Sequence, residues 1–600
     1  MHLRIKKCYT DLYDVFKNTN IGGINMSYQD EYRKWLDDPW FDDATKAELK
    51  AIEGDDKEIE DRFYRELEFG TGGLRGVIGA GTNRMNIYTV HKATQGLANY
   101  IIKAGTQSKG VAIAYDCRRM GREFADVAAT CLAANGIKAY VFDELRPTPE
   151  LSFAVRELGC TAGINVTASH NPPEYNGYKV YWEDGAQVTP PHDTGIIGEV
   201  QAISNYSDCR KMTVDEAKAA GLYEEIGAAI DDKYMAELKK QIIHPDVISA
   251  VAKDLKIVYT PLCGAGNKPT QRILKELGFE NVYVVPEQTG PDPDFTTLDY
   301  PNPEDPKAFT YALNLAKEKD ADIVLATDPD ADRLGVYAKD TKTGEYMAFT
   351  GNMSGMLIAE YILRERKATG TMPSNPTMVT TIVTTNMTFP ITAGYGVKLI
   401  EVLTGFKYIG EQIKLFEQAG NKDNNYVFGL EESYGCLAGT HARDKDAIVA
   451  VMMLCEVASF CKKNGQTLCD MMTELYEKYG YFKETQYTIT MKGADGAKQI
   501  QATMDKLRND PPKAFGDLKV LKFRDYKTGE VLDMESGAKS STGLPASNVL
   551  YFDLPDNNWC CARPSGTEPK IKFYMGVKGS SADDASAKLE ALTEAVKANI

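Results

Sequence analysis

The sequence predicts an α/β fold, with three related mixed α/β domains and a smaller C-terminal α+β domain around a central cleft. The main observation is a strand, a helix and a second strand that follow one another three times, beginning at residues 111–116, 256–261 and 378–385. Such units build mixed or parallel sheets. The second observation is that the chain breaks this order after about residue 480 and closes with an amphipathic helix at 585–600.

The predicted domains cover residues 26–225, 226–345, 346–480 and 481–600. The first opens with two or three helices, because apolar residues recur at helical spacing between residues 28 and 67. We interpret residues 1–25 as a non-native extension, since codons for residues 21–26 can contain a bacterial ribosome-binding sequence before a start codon at Met26. A genuine short extension, helical or disordered, is the alternative.

Charge and cysteine content indicate the class of protein. The chain has 69 Lys and Arg against 85 Asp and Glu, so at a net charge of -16 we expect neither nucleic acid nor a membrane as partner. Its 12 cysteines form no CxxC pair, which favours reduced, buried thiols in a cytoplasmic protein. We find no apolar run near the roughly 18 residues of a membrane span and no secretory segment.

The segment TASHNPPEYNGYK (167–179) contains a candidate nucleophile. Ser169 follows the strand-like GINVT, with His170 beside it and two prolines that prevent a helix from starting immediately. A hydroxyl at the end of a strand is well placed to carry a phosphate. Lys179 could neutralise that phosphate or move a proton. Taken alone, such a segment is more often a turn without function.

The segment TDPDADRLGV (327–336) predicts a metal site. Asp328, Asp330 and Asp332 alternate after an apolar strand, so that their carboxylates can converge on one hard cation such as Mg²⁺. An EF-hand is excluded, because Arg333 and Lys339 occupy its Gly and Glu positions. A solvated acidic turn is the alternative, and the mutual repulsion of three carboxylates disfavours it.

Two further segments have the residues of a sugar phosphate site. FGLEESYG (428–435) places Glu431 and Ser433 in a glycine-bounded loop, where they could hydrogen-bond sugar hydroxyls. RPSGTEPKIKF (563–573) offers a phosphate one guanidinium fork, two hydroxyls and successive backbone N–H groups, from Arg563, Ser565, Gly566 and Thr567. Alone, each segment is also compatible with an ordinary surface loop or turn. Together, the four segments predict phosphoryl transfer on a sugar that already carries one phosphate.

The sequence resembles the α-D-phosphohexomutases of the phosphoglucomutase/phosphomannomutase family, and is most like bacterial members of the longer, phosphopentomutase-like branch. TASHNP, DPDADR, GLEESYG and RPSGTEP occur in the family's order and spacing, and the likeness extends from FGTGGLRG at Phe69 to the C-terminal helix. One departure is Leu430, where many glucose-type members carry glycine.

The resemblance implies roles for the residues of these motifs. The phosphoserine would be Ser169, and its phosphate would bind Mg²⁺ together with Asp328, Asp330 and Asp332. The other residues implied in phosphoryl transfer are Arg75, His170 and Lys179. The residues implied in substrate binding are Arg333, Thr404, Gly405, Glu431, Ser433 and Lys445. The residues implied in binding the second phosphate are Arg563, Ser565, Gly566 and Thr567.

The expected reaction interconverts glucose 1-phosphate and glucose 6-phosphate, with glucose 1,6-bisphosphate as intermediate and activator. Alternatives within the class are phosphomannomutase, phosphopentomutase and glucose 1,6-bisphosphate synthase activity. A non-catalytic sugar-phosphate sensor is the alternative from another class, and the intact Ser169, aspartates and Arg563 disfavour it. The expected partners are small-molecule sugar phosphates, and the chain is expected to be a monomer or a dimer.

Overall fold

The computed structural model of the protein describes residues 27–69, 72–491, 493–565 and 570–600. The interpretation of residues 1–25 as an extension, with a start at Met26, lies outside the described residues. The described part begins with the helices α1 (Tyr28–Asp37), α2 (Asp43–Lys50) and α3 (Asp56–Phe63). Their apolar faces meet around the fully buried Trp35, which stacks on Phe41 and contacts the edge of Phe63.

The first sheet has the strand order β1-β5-β4-β2-β3-β6. Its strands are β1 (Gly73–Val77), β2 (Val111–Tyr115), β3 (Ala139–Phe142), β4 (Ala162–Val166), β5 (Tyr175–Trp182) and β6 (Tyr223–Ile226). Its helices are α4 (Ile87–Ala104), α5 (Gly121–Ala134), α6 (Thr148–Glu157), α7 (His192–Gln201) and α8 (Val214–Ala219). Strand β5 runs antiparallel to β1 and β4, whereas β4, β2, β3 and β6 are parallel.

The second sheet has the strand order β11-β10-β9-β7-β8. Its strands are β7 (Lys256–Thr260), β8 (Asn281–Val284), β9 (Ile323–Thr327), β10 (Leu334–Lys339) and β11 (Tyr346–Phe349). Its helices are α9 (Ala228–Lys239), α10 (Pro245–Val251), α11 (Asn267–Glu276) and α12 (Thr310–Lys319). Strands β8, β7 and β9 are parallel, and β10 and β11 continue the sheet antiparallel.

The third sheet has the strand order β13-β12-β14-β15 and repeats the mixed pattern. Its strands are β12 (Pro376–Thr381), β13 (Lys398–Val402), β14 (Asn425–Glu431) and β15 (Gly435–Ala438). Its helices are α13 (Gly351–Ala368), α14 (Thr388–Tyr395), α15 (Phe406–Gln418), α16 (Ala447–Lys463) and α17 (Leu468–Tyr479). Only the β14–β15 pair of this four-stranded sheet is antiparallel.

The C-terminal part forms a seven-stranded antiparallel sheet of order β16-β24-β23-β22-β19-β20-β21, and β17 pairs with β18. These strands are β16 (Tyr481–Thr490), β17 (Ala514–Phe515), β18 (Leu518–Lys519), β19 (Lys522–Asp525), β20 (Glu530–Asp533), β21 (Lys539–Ser541), β22 (Leu550–Asp553), β23 (Trp559–Pro564) and β24 (Lys570–Gly579). The helices α18 (Gly493–Asn509) and α19 (Ala582–Asn599) belong to the same part. The predicted fold class, three mixed α/β units and one α+β unit, is confirmed.

Apolar packing divides the described residues into two parts: the frame, which is the first three units up to Tyr479, and the C-terminal unit from Tyr481 onwards. One continuous core joins residues of the first three α/β units, including Leu151, Leu325 and Leu430. The C-terminal sheet has its own core around Met504 and Met575. A smaller cluster joins it to the third sheet, with Ile382, Val383 and Leu403 on one side and Tyr551, Trp559 and Tyr574 on the other. The first three units therefore form one packed body, and the fourth attaches through a limited interface.

Two predictions from the sequence, reduced buried thiols and no membrane-spanning segment, can be compared with the described residues. All eleven cysteines in this part of the chain are free and buried, which agrees with the prediction of reduced thiols. No helix among the described residues has the length and apolar character needed to span a membrane.

Candidate active site

Ser169 lies in the loop between β4 and β5, at the centre of a group of polar contacts. Its hydroxyl donates a hydrogen bond to Oδ2 of Asp328 at 2.9 Å, and lies 3.2 Å from Nδ1 of His170. The serine is buried and has a φ of 52°, in the left-handed region that non-glycine residues rarely adopt. The loop after β4 of the first sheet and the loop after β9 of the second sheet thus meet at this hydroxyl.

The three predicted aspartates converge directly after β9. One carboxylate oxygen of each of Asp328, Asp330 and Asp332 lies within 4.8 Å of the others, and all three residues are buried. The loop turns through Ala331, whose φ is 50°. The backbone N–H groups of Asp332 and Arg333 donate to Oδ1 of Asp328 at 3.1 and 3.0 Å. The loop therefore orients Asp328 through its own backbone.

The donor set fits a hard divalent cation. Among the described residues, Oδ1 of Asp330 and Oδ1 of Asp332 are buried and accept no hydrogen bond. Burial and the neighbouring Asp330 and Asp332 carboxylates raise the pKa of Asp328 well above its usual value. Buried carboxylates this close are costly unless a cation neutralises them, and Mg²⁺ prefers such oxygen ligands. The aspartate triad, defined as Asp328, Asp330 and Asp332, could therefore hold a metal.

Two lysines neutralise part of the triad's charge. Nζ of Lys179, on β5, donates to Oδ2 of Asp330 at 2.7 Å, and Nζ of Lys445 lies 3.0 Å from Oδ2 of Asp332. Burial acts to raise the pKa of Asp330, but the charge of Lys179 and the hydrogen bonds from Lys179, Asp328 and Thr148 together outweigh it, and this pKa lies below its usual value. Lysines from two different domains thus approach the triad.

The supporting loops hold the triad in place. The backbone N–H of Thr148 donates to the carbonyl of Asp330 at 2.9 Å, and its hydroxyl donates to Oδ2 of the same residue at 2.8 Å. The loop after β7 approaches closely at Gly264, where a Cβ would lie 2.4 Å from Cα of Pro329. Position 264 therefore requires glycine, because a larger residue would displace the metal loop.

A cavity of about 1040 Å³ opens beside this centre and takes residues from all four units. The predicted residues that line it are Arg75, His170, Arg333, Ser433, Arg563 and Ser565. His170 connects the cavity to Ser169, since its Nδ1 lies 3.2 Å from Ser169 Oγ. The structure therefore brings the four segments singled out from the sequence, 167–179, 327–336, 428–435 and 563–573, to one cleft.

Other predicted residues are not among the described residues that line the cavity, or lie outside the described residues. Glu431 is buried at the end of β14, 3.9 Å from Nζ of Lys445. Thr404 and Gly405 are not among the described residues that line the cavity, although Oγ1 of Thr404 is buried without a hydrogen-bond partner. Gly566 and Thr567 lie outside the described residues. For these positions the assigned roles stay predictions.

Several of the charged residues that line the cleft were not predicted from the sequence. Lys572 and Glu432 line the cavity. Glu304 lies there too and accepts a hydrogen bond at 2.5 Å from Arg333, one of the predicted substrate-binding residues. Burial, together with the adjacent Glu431, raises the pKa of Glu432 to about 7. Glu432 and Lys572 lie within the segments 428–435 and 563–573 that were singled out from the sequence, although no role was assigned to either residue.

Comparison with known proteins identifies the family. The sequence matches the descriptions "Phosphoglucomutase/phosphomannomutase, alpha/beta/alpha domain" I, II and III at residues 66–207, 232–343 and 350–479. It is 36% identical to a phosphoglucomutase of Staphylococcus aureus strain USA300, over 92% of this chain and 97% of the relative.

Solved structures share the fold. A Paramecium phosphoglucomutase, parafusin, in its open form aligns with a TM-score of 0.66 and 20% identity, covering 89% of this chain and 95% of that one. A phosphoglucomutase/phosphomannomutase family protein of Burkholderia thailandensis aligns with a TM-score of 0.62 and 19% identity, covering 88% and 97%. With the four motifs gathered at one cleft and these matches along most of its length, the chain belongs to the phosphoglucomutase/phosphomannomutase family.

Proposed function

We propose that the protein interconverts α-D-glucose 1-phosphate and glucose 6-phosphate through a phosphorylated Ser169. Membership of the phosphohexomutase family makes it a mutase, an intramolecular phosphotransferase. The observation that carries the site assignment is the 2.9 Å hydrogen bond from Ser169 to Asp328, beside a cavity lined by cationic residues of different domains. A serine phosphate at this place would adjoin both the aspartate triad and the bound sugar.

The triad is the proposed Mg²⁺ site. Asp328, Asp330 and Asp332 would supply one carboxylate oxygen each, and the two oxygens without hydrogen bonds are available for that purpose. When bound, Mg²⁺ would neutralise charge on the phosphoryl group that is transferred. The protein's own part is to hold the serine, the triad and the sugar hydroxyl in fixed positions, which supplies much of the catalysis in such reactions.

In the first half-reaction, the bond from phosphorus to Ser169 Oγ breaks as a bond to the free sugar hydroxyl forms. The hydroxyl proton leaves to a base, and Lys179 is the proposed acceptor. Lys179 lies on β5, the strand that follows the Ser169 loop, and its Nζ is 2.7 Å from Oδ2 of Asp330. In the second half-reaction, Ser169 Oγ bonds to the other phosphorus of the 1,6-bisphosphate as the bond from that phosphorus to the sugar oxygen breaks, and the sugar oxygen takes the proton back from the base to become the product hydroxyl.

The intermediate has to turn over between the two steps. Arg333, Thr404, Gly405, Glu431, Ser433 and Lys445 are the proposed substrate-binding residues. Arg563 and Ser565, with Gly566 and Thr567, are the proposed site for the phosphate that does not react. A cavity of about 1040 Å³ is at the upper end of the volumes of small-ligand sites. This volume would leave a hexose bisphosphate room to reverse its orientation without leaving.

Turnover of glucose 1-phosphate with Mg²⁺ and a trace of glucose 1,6-bisphosphate tests the proposal. Mannose 1-phosphate and ribose 1-phosphate are the competing substrates, and Ser169→Ala is the test variant. Ser459→Ala is the matched control, because Ser459 is a buried serine of α16 that hydrogen-bonds the carbonyl of Cys455. We expect glucose phosphate turnover in wild type and Ser459→Ala, and its loss in Ser169→Ala.

The other outcomes separate the alternatives. Faster turnover of mannose or ribose phosphate would replace glucose as substrate and leave the phosphoserine mechanism intact. Net formation of glucose 1,6-bisphosphate from a phosphoryl donor would indicate a synthase. Binding of sugar phosphates without any turnover would favour the sensor. A cytoplasmic location, and the choice between monomer and dimer, also stay predictions.

A further inference from the structure

Arg118 is a buried cation that donates hydrogen bonds to the loop of residues 169–175, which carries Ser169. It follows β2, is 3% exposed, and directs its guanidinium at backbone carbonyls of residues 169–175. It donates to the carbonyls of Ser169 at 2.7 Å, Pro172 at 2.8 Å and Tyr175 at 3.0 Å, and also to that of Asn171. One side chain therefore binds four carbonyls of the loop that carries the proposed nucleophile.

Two hydrogen bonds, one of them from Arg118, hold the backbone of Ser169 on both sides of its Cα. Its N–H donates to Oγ1 of Thr167 at 2.8 Å, and its carbonyl accepts from Arg118 at 2.7 Å. The φ of 52° at Ser169 is unfavourable for a residue with a Cβ, so it persists only where surrounding contacts impose it. These two hydrogen bonds impose it here.

Arg118 is itself fixed by two different domains. Nε lies 3.5 Å from Oδ2 of Asp116, and this carboxylate oxygen also accepts from the hydroxyl of Thr167 at 2.5 Å. The ring of Phe295, from the second domain, lies 5.2 Å from the guanidinium carbon. The guanidinium is therefore held at one end by the first domain and covered by the domain that carries the aspartate triad.

We propose that Arg118 is a positioning residue that sets the place of Ser169 Oγ against the aspartate triad through the loop backbone. The proposal rests on the proposed function for its consequence in turnover. Its physical basis is the planar guanidinium fork, which can bind several carbonyls in fixed directions, as a lysine ammonium cannot. Displacement of a reacting group by about 1 Å can cost about 100-fold in rate, so loss of the fork should lower turnover sharply.

The test compares Arg118→Lys with Arg122→Lys. Arg122 is an arginine of the same domain that pairs with Asp126 and Glu225 and is not among the described residues that line the cavity. For Arg118→Lys we expect kcat to fall by about 100-fold, with KM for glucose 1-phosphate changed by less than about threefold. Arg122→Lys should keep both constants. Added guanidinium should restore part of the turnover of Arg118→Ala and none in Ser169→Ala.

A second measurement reports on the loop without turnover. Amide hydrogen exchange across residues 169–178 should be faster in Arg118→Lys than in wild type and Arg122→Lys. If Arg118→Lys does not fold, Phe295→Leu is used instead, because it removes the ring over the guanidinium and leaves the loop sequence unchanged. It should produce a smaller change in the same direction.

The outcomes distinguish this proposal from the proposed function. If wild type turns over no sugar phosphate but the loop of Arg118→Lys exchanges faster, the mutase proposal fails and the positioning contact stands. Unchanged exchange together with unchanged kcat in a folded Arg118→Lys protein overturns the positioning role. An equal loss of kcat in Arg122→Lys also overturns it, since the effect would then follow from general destabilisation.

Discussion

Nζ of Lys445 lies 3.0 Å from Oδ2 of Asp332, while Lys179 holds Asp330 at 2.7 Å. Two of the three triad carboxylates are thus each paired with a lysine, and each keeps one buried oxygen without a hydrogen bond. A divalent cation would share these carboxylates with two fixed positive charges. Metal affinity at this site would therefore be a balance between attraction to three carboxylates and repulsion from two ammonium groups.

The variant Lys445→Met should make stability more dependent on Mg²⁺. Without Lys445, the carboxylate of Asp332 loses its nearest cation, so the metal-free protein is destabilised, while the metal site loses a repelling charge. We expect Mg²⁺ to bind about tenfold more tightly in this variant. Thermal unfolding in EDTA and in excess Mg²⁺ measures this, and the rise in Tm on adding Mg²⁺ should be larger than in wild type.

Lys462→Met is the matched control for that measurement. Lys462 pairs with Asp322 at 2.8 Å, on the opposite end of β9 from the triad. Its loss should lower Tm equally with and without Mg²⁺. A rise in Tm on adding Mg²⁺ that is the same in Lys445→Met, Lys462→Met and wild type would contradict the assigned charge balance.

The variant Gly264→Ala should disturb the metal loop from outside it. A Cβ at this position would lie 2.4 Å from Cα of Pro329 and 2.6 Å from its carbonyl oxygen, so the loop has to move. We expect a loss of about 1–3 kcal/mol in the free energy of unfolding and weaker Mg²⁺ binding. Urea unfolding and calorimetric Mg²⁺ titration measure the two effects.

Gly198→Ala is the control, because a Cβ on this helical glycine meets no atom within 4 Å. Alanine in a helix is favoured over glycine, so the control should be neutral or slightly stabilised. The steric argument fails if Gly264→Ala binds Mg²⁺ as tightly as the control does.

The variant Arg563→Gln should weaken substrate binding more than chemistry. Arg563 lines the cavity and is proposed to hold the phosphate that does not react, which keeps its charge throughout each step. Losing a charge-assisted contact costs about 1.5–3 kcal/mol, so KM for glucose 1-phosphate should rise by about 10- to 100-fold with a smaller fall in kcat. Steady-state kinetics give both constants.

Arg508→Gln provides the comparison for Arg563→Gln. Arg508 is in the same C-terminal unit, pairs with Asp525 at 3.2 Å, and is not among the described residues that line the cavity. Its KM should stay at the wild-type value. A loss confined to kcat in Arg563→Gln would instead place Arg563 at the phosphoryl group that is transferred.

The sequence predicted those features of the fold and the site that depend on residues close together in the chain. The buried strands β2 and β7 appear in the sequence as the short apolar runs 111–115 and 257–259, and the aspartates of 328–332 alternate directly after the core strand β9. Both patterns arise within a few residues, so a single sequence contains them. The three mixed sheets and the cluster of carboxylates were predicted for this reason.

The sequence was uninformative where contacts join distant positions. Arg118 lies 51 residues before Ser169, and nothing in its surroundings distinguishes it from the adjacent Arg119, which is more than half exposed. The strands between residues 514 and 541 are two to four residues long and rich in charge, so their alternation is too short to recognise. Only the fold shows which of these residues are buried together.

The variant Glu484→Gln should alter the pH dependence of stability. Glu484, on β16, accepts a hydrogen bond from Asn352 on α13 at 3.1 Å, and so links the C-terminal unit to the frame beside the cavity. Burial raises its pKa from 4.5 to about 7, although hydrogen bonds from Thr385 and Asn352 oppose the shift. The folded protein therefore retains this proton where the unfolded chain has lost it, and stability falls as pH rises from about 4.5 to about 7.

Glutamine has nearly the same shape as glutamate and cannot ionise, so the variant should not lose stability as the pH rises through this range. We expect the difference in Tm between Glu484→Gln and wild type to favour the variant more at about pH 8 than at about pH 5. Glu594→Gln, which removes an exposed carboxylate of α19 that pairs with Lys597, should show one constant offset at both values. If the two variants respond to pH alike, Glu484 does not ionise in this range, and its contact with Asn352 carries no pH-dependent cost.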